Sequence, residues 1–164
     1  MSWIASLPAA TPFESVLAQR PELLTRFRDF MATLNNSDGV PQRTLELCRL
    51  RVAAIHDCAQ ELQLRTPGVQ LRPAELEDLQ RGEFARFSAD EQAALAVAEQ
   101  LPYAHHNVSD ADVEAVRLVL GEAGTVALLT SIAFFDVNCR MKLTLGIVDA
   151  TTSAEANTTT NALR

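Results

Sequence analysis

Proline and capping residues open the apolar segments of this chain and glycine or proline closes them, while the apolar residues inside recur at three and four. No stretch alternates apolar and polar residues between hairpin dipeptides, so this punctuation restricts the chain to an all-α, single-domain helical bundle. Thr11, Pro12 and Glu14 read as N-cap, first helical position and capping-box glutamate of a short helix that Pro21 ends. Pro21 opens the next helix, in which Leu23, Leu24, Phe27, Phe30, Met31 and Leu34 form a stripe predicted to be buried. Pro73 begins a polar helix closed by Gly82, and Ser88 with Glu91 forms a second capping box before a helix that runs to Pro102. Residues 103–108 read as a loop carrying His105 and His106. Ser109 caps a further helix, which Gly121 and Gly124 separate from the last one. That last helix is apolar around most of its circumference and must be buried on several sides, by the core or by another subunit.

At 164 residues the chain is one domain by prior, with a core large enough to need no staple. An N-terminal helical extension is expected over 1–20, the main helical domain over 21–148 and a disordered tail over 149–164, where no apolar period remains. The 21 acidic against 14 basic side chains leave a formal charge of −7, which argues against nucleic acid and anionic membrane as partners. Three cysteines, an odd number without paired spacing, fit a reducing, cytoplasmic compartment better than a disulfide framework. The opening residues lack the basic and apolar regions of a secretory signal, and the apolar run from Val126 to Val137 is too short to span a bilayer. His105 and His106 have no Cys or acid at ligand spacing, so neither a metal nor another cofactor is expected.

The chemistry concentrates between Thr44 and Arg65, where Glu46 precedes Cys58 by twelve residues. In one straight helix the two would lie about 18 Å apart along the axis, so only a joint between them lets them meet. Asp57 offers one, as the N-cap of a new helix with Gln60 its third residue and Cys58 its first, where the helix dipole lowers a thiol pKa. No glycine or proline forces that break, and a continuous helix is the alternative. Each side chain has two readings. Cys58 is a thiolate nucleophile or a small buried residue, as Cys48 and Cys139 are. Glu46 is a proton acceptor or the partner of Arg49 or Arg43. His56 is a proton carrier near neutral pH or a solvent-facing side chain. Arg51 and Arg65 hold a carboxylate by a two-pronged contact or face water. Glu61 and Arg65 are spaced as an i,i+4 ion pair.

The string ELCRLRVAAIHDCA, preceded by PELLTRF and followed by FSADEQAALAVAEQLPYAHHNVSDADVEAVR and an Asn-x-Arg triplet at 138–140, resembles the carboxymuconolactone decarboxylase and alkylhydroperoxidase D-like superfamily. The resemblance covers about Pro21 to Val148. It implies an all-α homo-oligomer, often a trimer or hexamer, with its site lined by the two helices that the motif joins. In the peroxidase branch the motif is a glutamate, twelve residues to a cysteine, three to a second cysteine and four to a histidine. Glu46 and Cys58 match its first half, whereas Glu61 and Arg65 stand where the second cysteine and the histidine would be. The resemblance therefore implies a one-cysteine peroxidase of the peroxiredoxin type at Cys58, assisted by Glu46 and His56. Glu61, Arg65, Arg51 and His105 would line its pocket, and a thiol reductant or adaptor protein would restore it. A decarboxylase-like acid–base enzyme acting on a small carboxylated substrate, and a non-catalytic oligomer that keeps the fold, are the alternatives.

Overall fold

A computed structural model describes residues 3–5, 7–35 and 39–147, and every regular element in it is helical. The expected tail beyond residue 148 lies outside the described residues. The helices are α1 (Pro12–Leu17), α2 (Pro21–Asn35), α3 (Gln42–Ile55), α4 (Ala59–Gln63), α5 (Pro73–Arg81), α6 (Ala89–Ala104) and α7 (Asp110–Thr144), with one turn of 3-10 helix at His105–Asn107. Two compact units emerge, one from Met1–Ala32 with Arg140–Arg164 and the other from Thr33–Cys139.

In the first unit Thr11 caps α1 by accepting from Glu14 N at 3.2 Å. The Glu14 carboxylate is gripped by Arg28 with two bonds of 2.9 and 3.0 Å, and that cation together with backbone N–H groups at Ala10 and Thr11 holds its pKa below the ordinary value. Phe13, Val16, Leu17 and Ile147 form a small core, and Phe13 meets Phe27 edge to face at 5.5 Å. The stripe expected to be buried along α2 is only partly so: Leu24 and Phe27 pack on this core, but Leu23 and Phe30 are exposed.

The second unit is organised around α3, which is apolar on two faces. Cys48, Val52 and Ala53 join a cluster with Val97, Leu128 and Ile132, while Leu47 and Leu50 pack with Leu79 and Leu95. The helix starts are tied together by Arg43, in the first turn of α3, which bonds Glu91 of α6 at 2.7 Å and Glu75 of α5 at 2.8 Å. Burial opposes the charge on Glu75, but the Arg72 side chain and backbone N–H and the Arg43 guanidinium outweigh it and hold the carboxyl down at about 2. Gly82 ends α5 in the left-handed region, and Ser88 and Glu91 close their capping box reciprocally, both as the sequence predicts.

The segments on either side of Gly121 are two helices, as expected, joined across a sharp kink at which Gly121 leaves helical geometry (φ 68°, ψ 179°); α7 denotes the pair, and Gly124 lies inside its second part. A little over a quarter, 28 %, of its most apolar window is buried, and Leu118, Val126 and Val137 are exposed. Among the described residues α7 is long and apolar enough, by length and composition, to cross a membrane, longer than the Val126–Val137 run by itself implies. The same helix presents Leu128 and Ile132 to the core with no exposure and carries Asp136 in a hydrogen bond to His56, which are features of a helix packed against its own chain.

Candidate functional site

The break between the helices carrying Glu46 and Cys58 is present, built differently from the expected cap. α3 stops at Ile55, and Asp57 takes a left-handed conformation with φ 51°. The Cys58 N–H reaches back to Ala53 O at 2.9 Å and the Asp57 N–H to Ala54 O at 3.1 Å. These two bonds are a Schellman closure of α3 with aspartate where glycine is usual. Cys58 is accordingly the N-cap of α4 and not its first residue, its own N–H already engaged in ending α3. Its side chain has no solvent exposure, and Sγ donates to Gln60 Oε1 at 3.5 Å. Cys48 and Cys139 are buried as well, and burial pushes the Cys48 thiol up to about 12.

The segment after the joint is folded around Arg49. Its Nε and Nη2 clamp the two oxygens of Glu46 at 2.9 Å each, and Nη2 also donates to Leu64 O at 2.9 Å. Nη1 donates to Glu61 O and to Glu61 Oε2, both at 2.7 Å. All five guanidinium N–H bonds are thus engaged. Burial opposes the charge on Arg49, but its bonds to Glu46 and the nearby Glu46 and Glu61 carboxylates more than compensate and raise its pKa. Glu46, 1 % exposed, further accepts from Thr66 Oγ1 at 2.6 Å and Thr66 N at 3.3 Å. Its acceptor positions are occupied, so it anchors the segment after the joint to α3. Glu61 turns inward to Arg49 and to Asn138, whose Nδ2 donates to it at 2.9 Å, whereas Arg65 is exposed and donates to Leu62 O and Leu64 O.

His56, at the C-cap of α3, is the site residue with proton-transfer geometry. Its side chain is 4 % exposed and does not face solvent, with Nε2 2.6 Å from Asp136 Oδ1 and Nδ1 3.0 Å from Tyr103 Oη. A carboxylate only accepts, so Nε2 carries the proton and Nδ1 of the neutral ring accepts from the Tyr103 hydroxyl. Tyr103, expected in a loop, belongs to the last turn of α6, which continues through Pro102. Tyr103 and Asp136 are the functional candidates that the sequence reading missed. Nothing local marks them, because 47 and 80 residues separate them from His56.

The remaining sequence-predicted residues have other partners. Arg51 is bound to Glu99 and donates to Leu79 O and Gln80 O at 2.8 and 3.1 Å, closing the end of α5. His105 sits in the 3-10 turn, its ring edge to face with that of His106 at 5.7 Å. A shallow, mainly apolar cleft lined by Pro41, Thr44, Ala94, Val116 and Leu120 includes none of the predicted site residues. Among the described residues no group of three or more His, Cys, Asp or Glu side chains is placed to hold a metal ion. Comparison with protein-family models and with curated proteins finds no match for this chain.

Proposed function

We propose that the protein is a cytoplasmic member of the carboxymuconolactone decarboxylase and alkylhydroperoxidase D-like superfamily, and an acid–base enzyme on small carboxylated substrates. The observation that carries this reading is His56, fixed at the α3–α4 joint between Asp136 and Tyr103. The carboxylate orients the imidazole, and a ring held between a carboxylate and a hydroxyl is placed to take up and return a proton. Glu46 supports the joint through Arg49 and takes no part in proton transfer. The test is carbon dioxide release from, or isomerisation of, a panel of carboxylated lactones and 3-oxo acids. Turnover that survives Cys58→Ser and is lost in His56→Gln supports the reading, and turnover unaffected by His56→Gln refutes it.

The second reading, hydroperoxide reduction by Cys58, has in its favour that the thiol lies at the same joint, two residues after His56, with Gln60 as its hydrogen-bond partner. It ranks lower because the sulfur has no exposure and a peroxide must reach it through an opened joint. Sulfenic-acid trapping after hydroperoxide treatment, with the adduct located by peptide mass, decides it. Rapid labelling confined to Cys58 would install this reading in place of the first.

We further propose that the chain is a homo-oligomer joined through the apolar face of α7. Val126, 65 % exposed, and Val137 recur eleven residues apart on one side of that helix, an arrangement that a second copy would cover. Light scattering on the purified protein measures the mass; a monomer at micromolar concentration would remove this part of the proposal.

A further inference from the structure

We infer that Tyr103 is the residue that meets the substrate, its hydroxyl relaying a proton between His56 and an enolisable carbonyl compound. The inference rests on the acid–base reading of His56 and deepens it. Both nitrogens of His56 are engaged, one by Asp136 and the other by Tyr103, and its side chain is 4 % exposed. A substrate therefore has no direct approach to the imidazole. Tyr103 as a residue is 60 % exposed, and its hydroxyl is the group joined to His56 on the side away from Asp136. This is the arrangement in which a hydroxyl is hydrogen-bonded to a base and the base to an orienting carboxylate.

The proton steps balance without a co-reactant. In the forward direction a C–H bond next to the substrate carbonyl breaks and its electron pair moves onto the carbonyl oxygen. The proton passes to Tyr103 Oη as the original Oη–H bond breaks and a new Nδ1–H bond forms on His56. The imidazolium is then held by Asp136. The reverse sequence delivers a proton from Tyr103 to an enolate carbon, while His56 returns its proton to the phenolic oxygen. Asp136 acts through His56 and is a positioning residue, whereas Tyr103 touches the reacting atoms.

Tyr103 is the only tyrosine in the chain, so its reactivity can be read without interference. The first measurement is the rate of acetylation of Tyr103 by N-acetylimidazole at pH 7, followed by absorbance and peptide mass. The wild-type rate should exceed that of His56→Gln by about tenfold or more, with Asp136→Asn between them. Equal rates in all three overturn the coupling of Tyr103 to His56. The second is exchange of the α-hydrogens of levulinate in deuterium oxide, read by proton NMR. Exchange by the wild type that is lost in both Tyr103→Phe and His56→Gln supports the relay. Exchange that persists in Tyr103→Phe but disappears in His56→Gln overturns the relay and leaves the acid–base reading standing. Absence of exchange by the wild type overturns the enolisable-carbonyl substrate class, whatever the acetylation rates.

Discussion

Arg49 Nη1 donates to both the carbonyl and the carboxylate of Glu61, twelve residues on, at 2.7 Å each. With the clamp on Glu46, this makes one guanidinium the tie between α3 and everything from the joint to Thr66. Removing it takes from the buried carboxylates of Glu46 and Glu61 the guanidinium that binds both. Arg49→Leu should lower the unfolding free energy by about 3–5 kcal/mol, measured by urea denaturation. Arg49→Lys should recover only a minor part, because an ammonium offers three donors and lacks the planar fork that fits Glu46.

The left-handed Asp57 turns the chain from α3 into α4, and residue types differ in their tolerance of that conformation. A β-branched side chain there crowds the following carbonyl, so Asp57→Val should cost about 1–2 kcal/mol. Asp57→Gly relieves the strain but loosens the unfolded chain, and the net effect should be between no change and a gain of about 1 kcal/mol. Thermal melting of the two variants side by side checks the order. Equal loss of stability in both would mean that the Asp57 side chain, and not the backbone geometry, holds the turn.

These two positions also mark what the sequence discloses. The all-α class and most helix starts were legible because Pro12, Pro21, Pro73, Ser88 and Ser109 act within a turn of where they stand. A break near Asp57 was legible too, but its form was not. A capping pattern and a Schellman closure both accept aspartate, and the bond from Cys58 N to Ala53 O decided between them. At the site, Glu46 and Arg49 are three apart on one helix and could be paired on spacing alone. Glu61 found Arg49 and Asn138, and His56 found Tyr103 and Asp136, through tertiary packing that no local spacing encodes.

Of the two glycines that read as separating the last helices, Gly121 makes the break, whereas Gly124 lies inside the second part of α7 and allows a close approach of Gly39. A Cβ there would stand 2.7 Å from Gly39 O and equally close to Leu120 Cβ. Gly124→Ala gains helix propensity, worth up to about 1 kcal/mol, but must displace backbone to fit. The second effect should prevail, with a net loss of about 1–3 kcal/mol and a melting temperature lower by roughly 3–10 °C. Gly39→Ala, whose Cβ would lie at a more tolerable 3.2 Å from Gly124 Cα, should lose less.

Acid should act on the tie between the helix starts through Glu75. Its carboxyl titrates at about 2 in the folded protein, against an ordinary value of 4.5 when its partners are lost. A pKa depressed by folding contributes stability that is complete above about pH 4.5 and is lost as the pH falls through that value toward 2. The full shift corresponds to about 3 kcal/mol, and solvent screening at the partly exposed Arg43 reduces this to the order of 2 kcal/mol. Urea midpoints should therefore fall between pH 6 and pH 3 in the wild type. Glu75→Gln, which cannot titrate, should start lower at pH 6 and decline less steeply over the same interval. Parallel pH profiles for the two proteins would show that the acid sensitivity arises at other carboxylates and that the bonds from Arg72 and Arg43 to Glu75 add little to stability.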